Sequence, residues 1–231
     1  MANFIVLRDE NFNRRMQADP IGLESLGMGS TVSRSGSLPP APAIAVEDMS
    51  KSDVEDMRRD PAVRAITRRM PIRLISPVGS STASDTGTTW GVAAVGADTS
   101  PVDGAGVKVA VLDTGIDPSH DAFTGVTLDM KNFSGGPDSA TDGQGHGTHC
   151  AGTIFGRDVD GLRIGVAPGI TAALIGKVLD DEGSGSSEML FEGMKWAQAS
   201  GARVISMSLG FDFPGLVDRL IGEGWPPVLA G

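Results

Sequence analysis

Cysteine and long apolar runs are scarce in this chain. The single cysteine among its 231 residues cannot form an internal disulfide, so the fold is not a disulfide-stabilised scaffold and the redox compartment stays open. The first ten residues, "MANFIVLRDE", hold an apolar run of four with no basic residue before it. That run is too short for a signal peptide, and no later run approaches a membrane span. We therefore expect no membrane insertion, and the missing signal weakly favours the cytoplasm.

Basic residues are also few. The 19 Lys and Arg stand against 29 Asp and Glu, which gives a net charge of -10 and a pI near 4.7. Such a balance argues against nucleic acid or an anionic membrane surface as the main partner, because both would repel the chain. The acidity is typical of a soluble protein. A length of 231 residues with 40% hydrophobic residues suits one globular domain or two small ones.

The amino-acid composition of the chain changes near residue 85. Residues 1–85 are rich in Arg, Met, Ser and Pro and predict a small α/β module followed by a linker. Ser50 is a candidate N-cap, Asp53 stands near the capping-box position, and Pro61 ends the helix. The predicted elements are a strand at 4–7, a loop at 27–43, a strand at 43–47, a helix at 50–60, extended chain at 62–75 and a linker at 76–87.

Residues 86–231 alternate apolar runs with helical patterns. β-Branched runs such as "GVKVAVLD" predict strands buried on both faces. Strands that alternate with helices of this length indicate a doubly wound parallel sheet, so the fold class is α/β. The predicted elements are strands at 106–113, 171–179 and 202–209 and a helix at 186–200, capped by Ser186 or Ser187.

Asp113 ends the first of these strands and is followed by "TGID". Functional groups of doubly wound sheets lie just beyond the carboxyl ends of the strands, which makes Asp113 a candidate catalytic carboxylate. Asp-Thr-Gly is also good turn chemistry. A solvated turn aspartate therefore remains the alternative.

Two of the three histidines share the stretch "GQGHGTHCAG" at 143–152. His146 and His149 are three apart and could face one metal on a helix, but Cys150 points elsewhere, His120 lies in a separate loop, and no H-E-x-x-H motif is present. Metal is the weaker interpretation. The flanking glycines instead let the backbone turn tightly and leave the imidazole of His146 exposed at a helix start. That placement suits a general base, with His149 as a structural neighbour.

Four segments carry a resemblance to a known family. "VAVLDTGID" (109–117) and "GHGTHCAGT" (145–153) resemble the aspartate and histidine signatures of the subtilisin-like serine peptidases, the subtilases. "KVLDDEGSG" (177–185) and "ISMSLG" (205–210) resemble the two sides of the substrate cleft. The resemblance implies that Asp113 orients the imidazole and that His146 takes a proton from a serine. It also implies that a polypeptide substrate is held as an added strand by Gly183, Ser184, Gly185, Ser208, Leu209 and Gly210.

The resemblance extends to the first region. Residues 43–75 are similar to the second half of a subtilase propeptide, a small α/β module whose last segment lies in the substrate cleft. This implies that residues 1–85 form a propeptide-like inhibitor and linker ahead of a subtilisin-like catalytic domain at 86–231. Its first half is abbreviated in this sequence, and an unrelated N-terminal cap is the alternative.

Two signatures of the family are not found in the 231 residues. No Gly-Thr-Ser-Met-Ala-type segment supplies a nucleophile, and no Ala-Gly-Asn-type segment supplies an oxyanion amide. We therefore expect an incomplete, truncated catalytic domain that does not cleave peptides. A non-catalytic peptide-binding or inhibitory module is the alternative. An unfinished sheet would also expose an apolar edge and make the chain poorly soluble.

Metal and cofactor assignments stay empty at this point. Asp158 and Asp160 in "GRDVDGLRIG" are only loose candidates for the calcium that some subtilases bind, so no cofactor is assigned. Cys150 is either a small buried helix residue or, one turn after His146, a group that would make a complete enzyme sensitive to bulky thiol reagents.

Overall fold

The computed structural model describes residues 2–9, 43–75, 87–136 and 139–222. The chain divides into two compact units, Met1–Arg69 and Met70–Gly231. The predicted loop at 27–43 and linker at 76–87 lie outside the described residues except for their last positions. Among the described helices, none is both long enough and apolar enough to cross a membrane.

The first unit is a three-stranded antiparallel sheet with one helix. Strands β1 (Ala2–Arg8), β2 (Ala43–Met49) and β3 (Val63–Arg68) lie in the order β2-β1-β3, and helix α1 spans Lys51–Met57. The predicted cap is confirmed, because Ser50 and Asp53 form a capping box at the start of α1. Val6, Met49 and Val54 form a buried apolar cluster in this unit.

The second unit is built on a parallel sheet. Its strands are β5 (Val109–Asp113), β6 (Thr127–Asn132), β7 (Ala172–Lys177) and β9 (Val204–Ser206), in the order β6-β7-β5-β9. Every neighbouring pair in this order is parallel. The predicted strands at 106–113 and 171–179 are found as β5 and β7. Strand β6 was not predicted, although its alternating pattern "TLDMKN" is the signal of a half-buried strand.

Helices cover both faces of the parallel sheet. Val109 and Val111 of β5 pack in one cluster with Ala151 and Phe155 of helix α3 (His146–Phe155). The alternate residues Ala110 and Leu112 belong to clusters that include residues of helix α4 (Ser187–Ala199). Because successive side chains of a strand point to opposite faces, one helix lies on each side. The doubly wound α/β prediction is confirmed.

A second, smaller sheet lies in the same unit. Strand β4 (Pro71–Leu74) is its central strand, between β8 (Ser184–Ser186) and β10 (Leu209–Phe211), and it runs antiparallel to both. The predicted extended run at 62–75 is therefore two strands, β3 and β4, in two different sheets. The predicted strand at 202–209 is likewise two, β9 and β10. The division between the compact units falls between residues 69 and 70, so β4 belongs to the unit with whose strands it pairs. The domain assignment at 1–85 and 86–231 stays a prediction.

The remaining described elements are short. Helix α2 spans Trp90–Ala94, a single 3-10 turn spans Asp121–Phe123, and helix α5 spans Phe213–Gly222 directly after β10. The predicted helix at 186–200 is α4, and Ser186 is its N-cap, accepting a hydrogen bond from the Met189 amide.

Candidate active site

Asp113 and His146 meet above the carboxyl end of the parallel sheet. Asp113 is the last residue of β5 and shares the α3-facing side of that strand with Val109 and Val111. His146 is the first residue of α3. The His146 Nδ1 atom lies 2.8 Å from Asp113 Oδ1, and the two side chains are 8% and 1% exposed. The imidazole is thus more enclosed than the expected exposed position.

Two glycines allow the helix to begin at His146. Gly145, the N-cap residue, has φ 98°, a conformation that favours glycine. A Cβ atom on Gly147 would lie 2.2 Å from the Gly115 carbonyl oxygen and 3.2 Å from the Asp113 Cβ. Only glycine at 147 therefore lets the start of α3 approach the chain that follows β5. This close approach brings Asp113 and His146 within hydrogen-bonding distance.

Asp142 joins the two segments that carry Asp113 and His146. Its Oδ1 accepts hydrogen bonds from the Thr114 hydroxyl at 2.8 Å and from the Gly145 amide at 2.8 Å, while Oδ2 accepts from the amide and hydroxyl of Thr148. The Thr114 hydroxyl in turn accepts from the Gly147 amide. Burial alone would raise the pKa of Asp142, but the hydrogen bonds from Thr148, Gly145 and Thr114 outweigh it and lower that pKa to about 2.

A charged link joins the histidine loop to the loop after β7. The Lys177 ammonium, on a side chain that is 7% exposed, donates to Asp181 Oδ1 at 2.6 Å and to the Thr114 carbonyl. The same Asp181 oxygen accepts the Gly143 amide at 3.2 Å. The hydrogen bond from Lys177 holds the pKa of Asp181 below its ordinary value. This link ties the loop at 180–183 to the chain that leads into α3.

Cys150 lies against the imidazole. Its Sγ atom is 3.7 Å from His146 Nδ1 and 3.8 Å from Nε2. Burial raises the pKa of the thiol, and a hydrogen bond with Ser208 opposes that shift. A protonated thiol is a poor nucleophile and a poor metal ligand. Cys150 is half-buried and packs against the core cluster that includes Ala151 and Phe155. Its sensitivity to thiol reagents remains a prediction.

The candidate metal ligands do not assemble as the sequence pattern suggested. Within the described residues, the group with ligand atoms close together is Asp113, His146 and Cys150, not a pair of histidines. His149 is exposed, and His120 accepts the Ala122 amide at the start of the 3-10 turn. Asp158 and Asp160 are not members of that group.

The six residues predicted to bind substrate line the strand β4. Ser184 and Gly185 belong to β8 and pair with Arg73 and Ile72, while Leu209 and Gly210 belong to β10 and pair with Leu74 and Arg73. The two remaining residues accept backbone hydrogen bonds. The Leu74 amide donates to the Gly183 carbonyl at 2.9 Å and the Ile75 amide to the Ser208 carbonyl at 3.3 Å.

Sequence reasoning missed several polar residues of this region. Asp142, Lys177, Asp181 and Asp212 all make contacts that bind separate segments together. Ser187, expected only as a helix cap, does the same through its bonds to Met70. Asp142 accepts the Thr148 amide in the first turn of α3, which is the bond that an N-cap side chain would make, because the N-cap residue Gly145 has no side chain. The contacts of the others depend on segments far apart in the chain.

Comparison with known proteins identifies relatives of this chain. A family model described as the subtilase family matches residues 104–223, just over half of the chain. Alkaline serine exoprotease A of Vibrio alginolyticus is 35% identical over 176 residues, which cover 71% of this chain and 32% of that protein. The major intracellular serine protease of Bacillus subtilis is 46% identical over 114 residues, 47% of this chain and 35% of that protein.

A third relative and a solved structure extend the comparison. An alkaline protease of Alkalihalobacillus alcalophilus is 35% identical and is matched over 75% of this chain and 43% of its own length. A cold-adapted subtilisin-like serine proteinase matches 45% of this chain at 34% identity with a TM-score of 0.39, and 35% of that protein is covered. The chain thus spans about a third to two fifths of the length of these curated relatives.

Proposed function

The chain belongs to the subtilase family, and on that premise we propose that residues 70–222 form part of the peptide-cleaving domain of a serine endopeptidase. The observation that carries the proposal is the 2.8 Å contact between Asp113 Oδ1 and His146 Nδ1. A buried carboxylate at this distance orients an imidazole and stabilises the cation that forms when the imidazole takes up a proton.

The proposed chemistry follows from which imidazole nitrogen of His146 is hydrogen-bonded to Asp113. A carboxylate can only accept a hydrogen bond, so the proton of the neutral imidazole resides on Nδ1 and Nε2 is left as the base. Nε2 would accept the hydroxyl proton as a serine oxygen attacks the peptide carbonyl. It would return that proton to the amine that leaves when the carbon–nitrogen bond breaks.

We propose that the 231 residues alone do not hydrolyse peptides. No Gly-Thr-Ser-Met-Ala-type or Ala-Gly-Asn-type segment occurs in them. Removal of the nucleophile costs on the order of 10⁶ in kcat in subtilisin, and the residual catalysis depends on an oxyanion site that also has no candidate here. Asp113 and His146 would therefore act on a serine that these residues do not contain.

Residues 1–85 would serve as a propeptide-like inhibitor and linker in this proposal. Support comes from β4, which occupies the position between Gly183–Gly185 and Ser208–Gly210 where an added peptide strand is expected. The same observation favours the second candidate, a non-catalytic binding or inhibitory module, because a protein that holds its own strand in the cleft needs no nucleophile.

A fluorophosphonate probe, which labels activated serines, distinguishes the two candidates. We expect no labelling of the 231-residue chain; labelling of any of its serines would contradict the proposed inactivity.

The gene is then read beyond Gly231 for a Gly-Thr-Ser-Met-Ala-like segment. If one is encoded, the longer chain should be labelled, the His146→Ala variant should not, and the His149→Ala control should behave as the parent. A reading frame without such a segment favours the binding module.

A further inference from the structure

The strand β4 lies in a register that its backbone hydrogen bonds determine. The Met70 amide donates to the Ser187 hydroxyl at 3.0 Å and the Ser187 amide to the Met70 carbonyl at 2.8 Å. At the opposite edge, the Asp212 amide donates to the Pro71 carbonyl at 2.9 Å. With the Leu74 and Ile75 bonds given above, contacts on both flanks span residues 70–75. A shift by one residue would break all of them, so each side-chain position is defined.

Side chains of β4 alternate between the core and the surface. Ile72 is 1% exposed and belongs to a cluster with Val178, Leu179 and Leu190, and Leu74 packs against the same cluster. The intervening Arg73 points away from that cluster, and its side chain is 67% exposed. A peptide held in this register therefore presents every second side chain to whatever lines the outer face of the small sheet.

Asp212 lies on that outer face next to Arg73. Its Oδ2 is 2.5 Å from Arg73 Nε, and its Oδ1 accepts the Gly215 amide at 3.0 Å in the first turn of α5. The Asp212 side chain is only 13% exposed. The Gly215 hydrogen bond and the Arg73 guanidinium hold the pKa of Asp212 below its ordinary value. One residue thus contacts the bound strand twice, through its amide and through its carboxylate.

We propose that Asp212 makes this cleft selective for a basic side chain at the position of Arg73, directly after an aliphatic side chain at the position of Ile72. The inference rests on the proposed function, since it treats β4 as bound in the way a substrate peptide would be. Asp212 is anchored by α5 before any peptide arrives, so its charge is already in place. A basic residue at this position gains an ion pair, a neutral residue gains nothing, and an acidic residue is repelled.

The side-chain preference can be measured on the full chain without catalysis. Amide hydrogen exchange of Leu74 and Ile75 reports how often β4 leaves the cleft, because these amides donate to Gly183 and Ser208. Variants carry Lys, Met or Glu in place of Arg73, in the parent and in an Asp212→Asn background. Asparagine keeps the N-cap of α5 and removes the charge. Each rate is normalised to the same amide in the six-residue peptide that matches Met70–Ile75 of that variant.

We expect Arg and Lys to give about two- to fivefold more protection than Met, the range of a partly exposed ion pair, and Glu to give less than Met. The differences should collapse in the Asp212→Asn background and shrink near 1 M salt, where the Debye length is about 3 Å. Asp218→Asn on the exposed side of α5 removes the same charge and should leave the order unchanged.

The outcomes separate this inference from the proposed function. Equal protection with Arg, Met and Glu at position 73 overturns the proposed selectivity, and so does an order of protection that persists in the Asp212→Asn background. Neither result contradicts the proposal that β4 occupies a peptide-binding cleft. Exchange of Leu74 and Ile75 at the free-peptide rate in the parent chain overturns the selectivity together with the proposed inhibitor role, because β4 would then not occupy the cleft. It leaves the proposal that rests on Asp113 and His146 unchanged.

Discussion

Gly147 is the residue whose missing side chain allows Asp113 and His146 to come together. The start of α3 approaches the Gly115 carbonyl so tightly that no side chain fits between them, and this approach delivers His146 to Asp113. Gly152, one turn and a half later on the same helix, has no neighbour nearer than 3.9 Å to an added Cβ. The two glycines therefore have opposite structural requirements.

We predict that Gly147→Ala lowers the free energy of unfolding by about 2 kcal/mol or more, because the methyl group must displace backbone. Gly152→Ala should raise it by about 0.5–1 kcal/mol, because alanine is the better helix former. Urea unfolding followed by tryptophan fluorescence measures both, since all three tryptophans lie beyond residue 85. Destabilisation of equal size at the two positions would contradict the close approach at Gly147.

Asp142 makes the free energy of unfolding depend on pH. Its pKa is about 2 in the folded chain and about 3.9 in an unfolded one. As pH falls, the unfolded chain takes up the proton first, so the contribution of Asp142 is complete above about pH 5 and is lost as the pH approaches 2.

We therefore predict that Asp142→Asn is less stable than the parent by roughly 1–2 kcal/mol at pH 6, since the group is only partly buried. The difference should fall to roughly 0.4 kcal/mol near pH 2, because the stabilisation is lost as the pH falls through the folded pKa. Denaturation by urea between pH 2 and 6 gives both curves, with the exposed Asp98→Asn as the control for loss of one charge. Parent and Asp142→Asn curves that stay parallel over this range would rule out the proposed hydrogen-bond network.

At the scale of elements, the two outer strands of the parallel sheet differ in the side chains that they expose to solvent. Strand β6 carries Asp129 and Lys131 on its exposed positions, and charges of this kind discourage pairing with another chain. Strand β9 carries Val204, which is 53% exposed, and Met207 follows it at 40%. Within the described residues, β9 pairs with β5 alone, so its other edge is open.

We predict that the chain self-associates through β9 and that Val204→Lys reduces this association. A lysine on an open edge makes strand addition unfavourable without removing a buried contact. Sedimentation velocity over a concentration series measures the effect. Thr127→Lys on β6 is the matched control and should change little. Equal association of parent and Val204→Lys would exclude β9 as the contact.

At the scale of the whole molecule, a segment from the N-terminal part of the chain completes a sheet of the second unit. Strand β4 contributes Ile72 to the same core cluster as Leu112 of the parallel sheet. Residues 70–75 are therefore part of the packing of the unit that holds Asp113 and His146. The contribution of this packing to the stability of the unit can be measured.

We predict that Ile72→Ala lowers the unfolding free energy of this unit by about 2–4 kcal/mol, as for other buried aliphatic truncations. Ile75→Ala should change it by less than about 0.5 kcal/mol, because Ile75 is 58% exposed. Tryptophan fluorescence in urea gives both midpoints. Similar midpoints for the two variants would mean that β4 does not pack in this cluster in solution.

Local sequence patterns were sufficient to predict much of the secondary structure and the fold class of this protein. The apolar run before Asp113 and the glycines around His146 predicted a strand end and a helix start, because buried strands and tight turns each need particular residue types. The capping box at Ser50 and the N-cap at Ser186 were also visible in the sequence, since a helix start is determined within four residues. The α/β class followed from the alternation of these elements, and the family from four segments in order.

Contacts between distant segments were decided only by the tertiary structure. Arg73 and Asp212 are 139 positions apart, and Met70 and Ser187 are 117 apart. No local periodicity encodes such pairs, because the free energy that aligns them comes from the burial of Ile72 and from strand pairing. The split of the run at 62–75 into β3 and β4 has the same cause. The sequence by itself determined which residues can do chemistry, and the packing of the chain decided which of them meet and which strand lies between the two predicted substrate-binding segments.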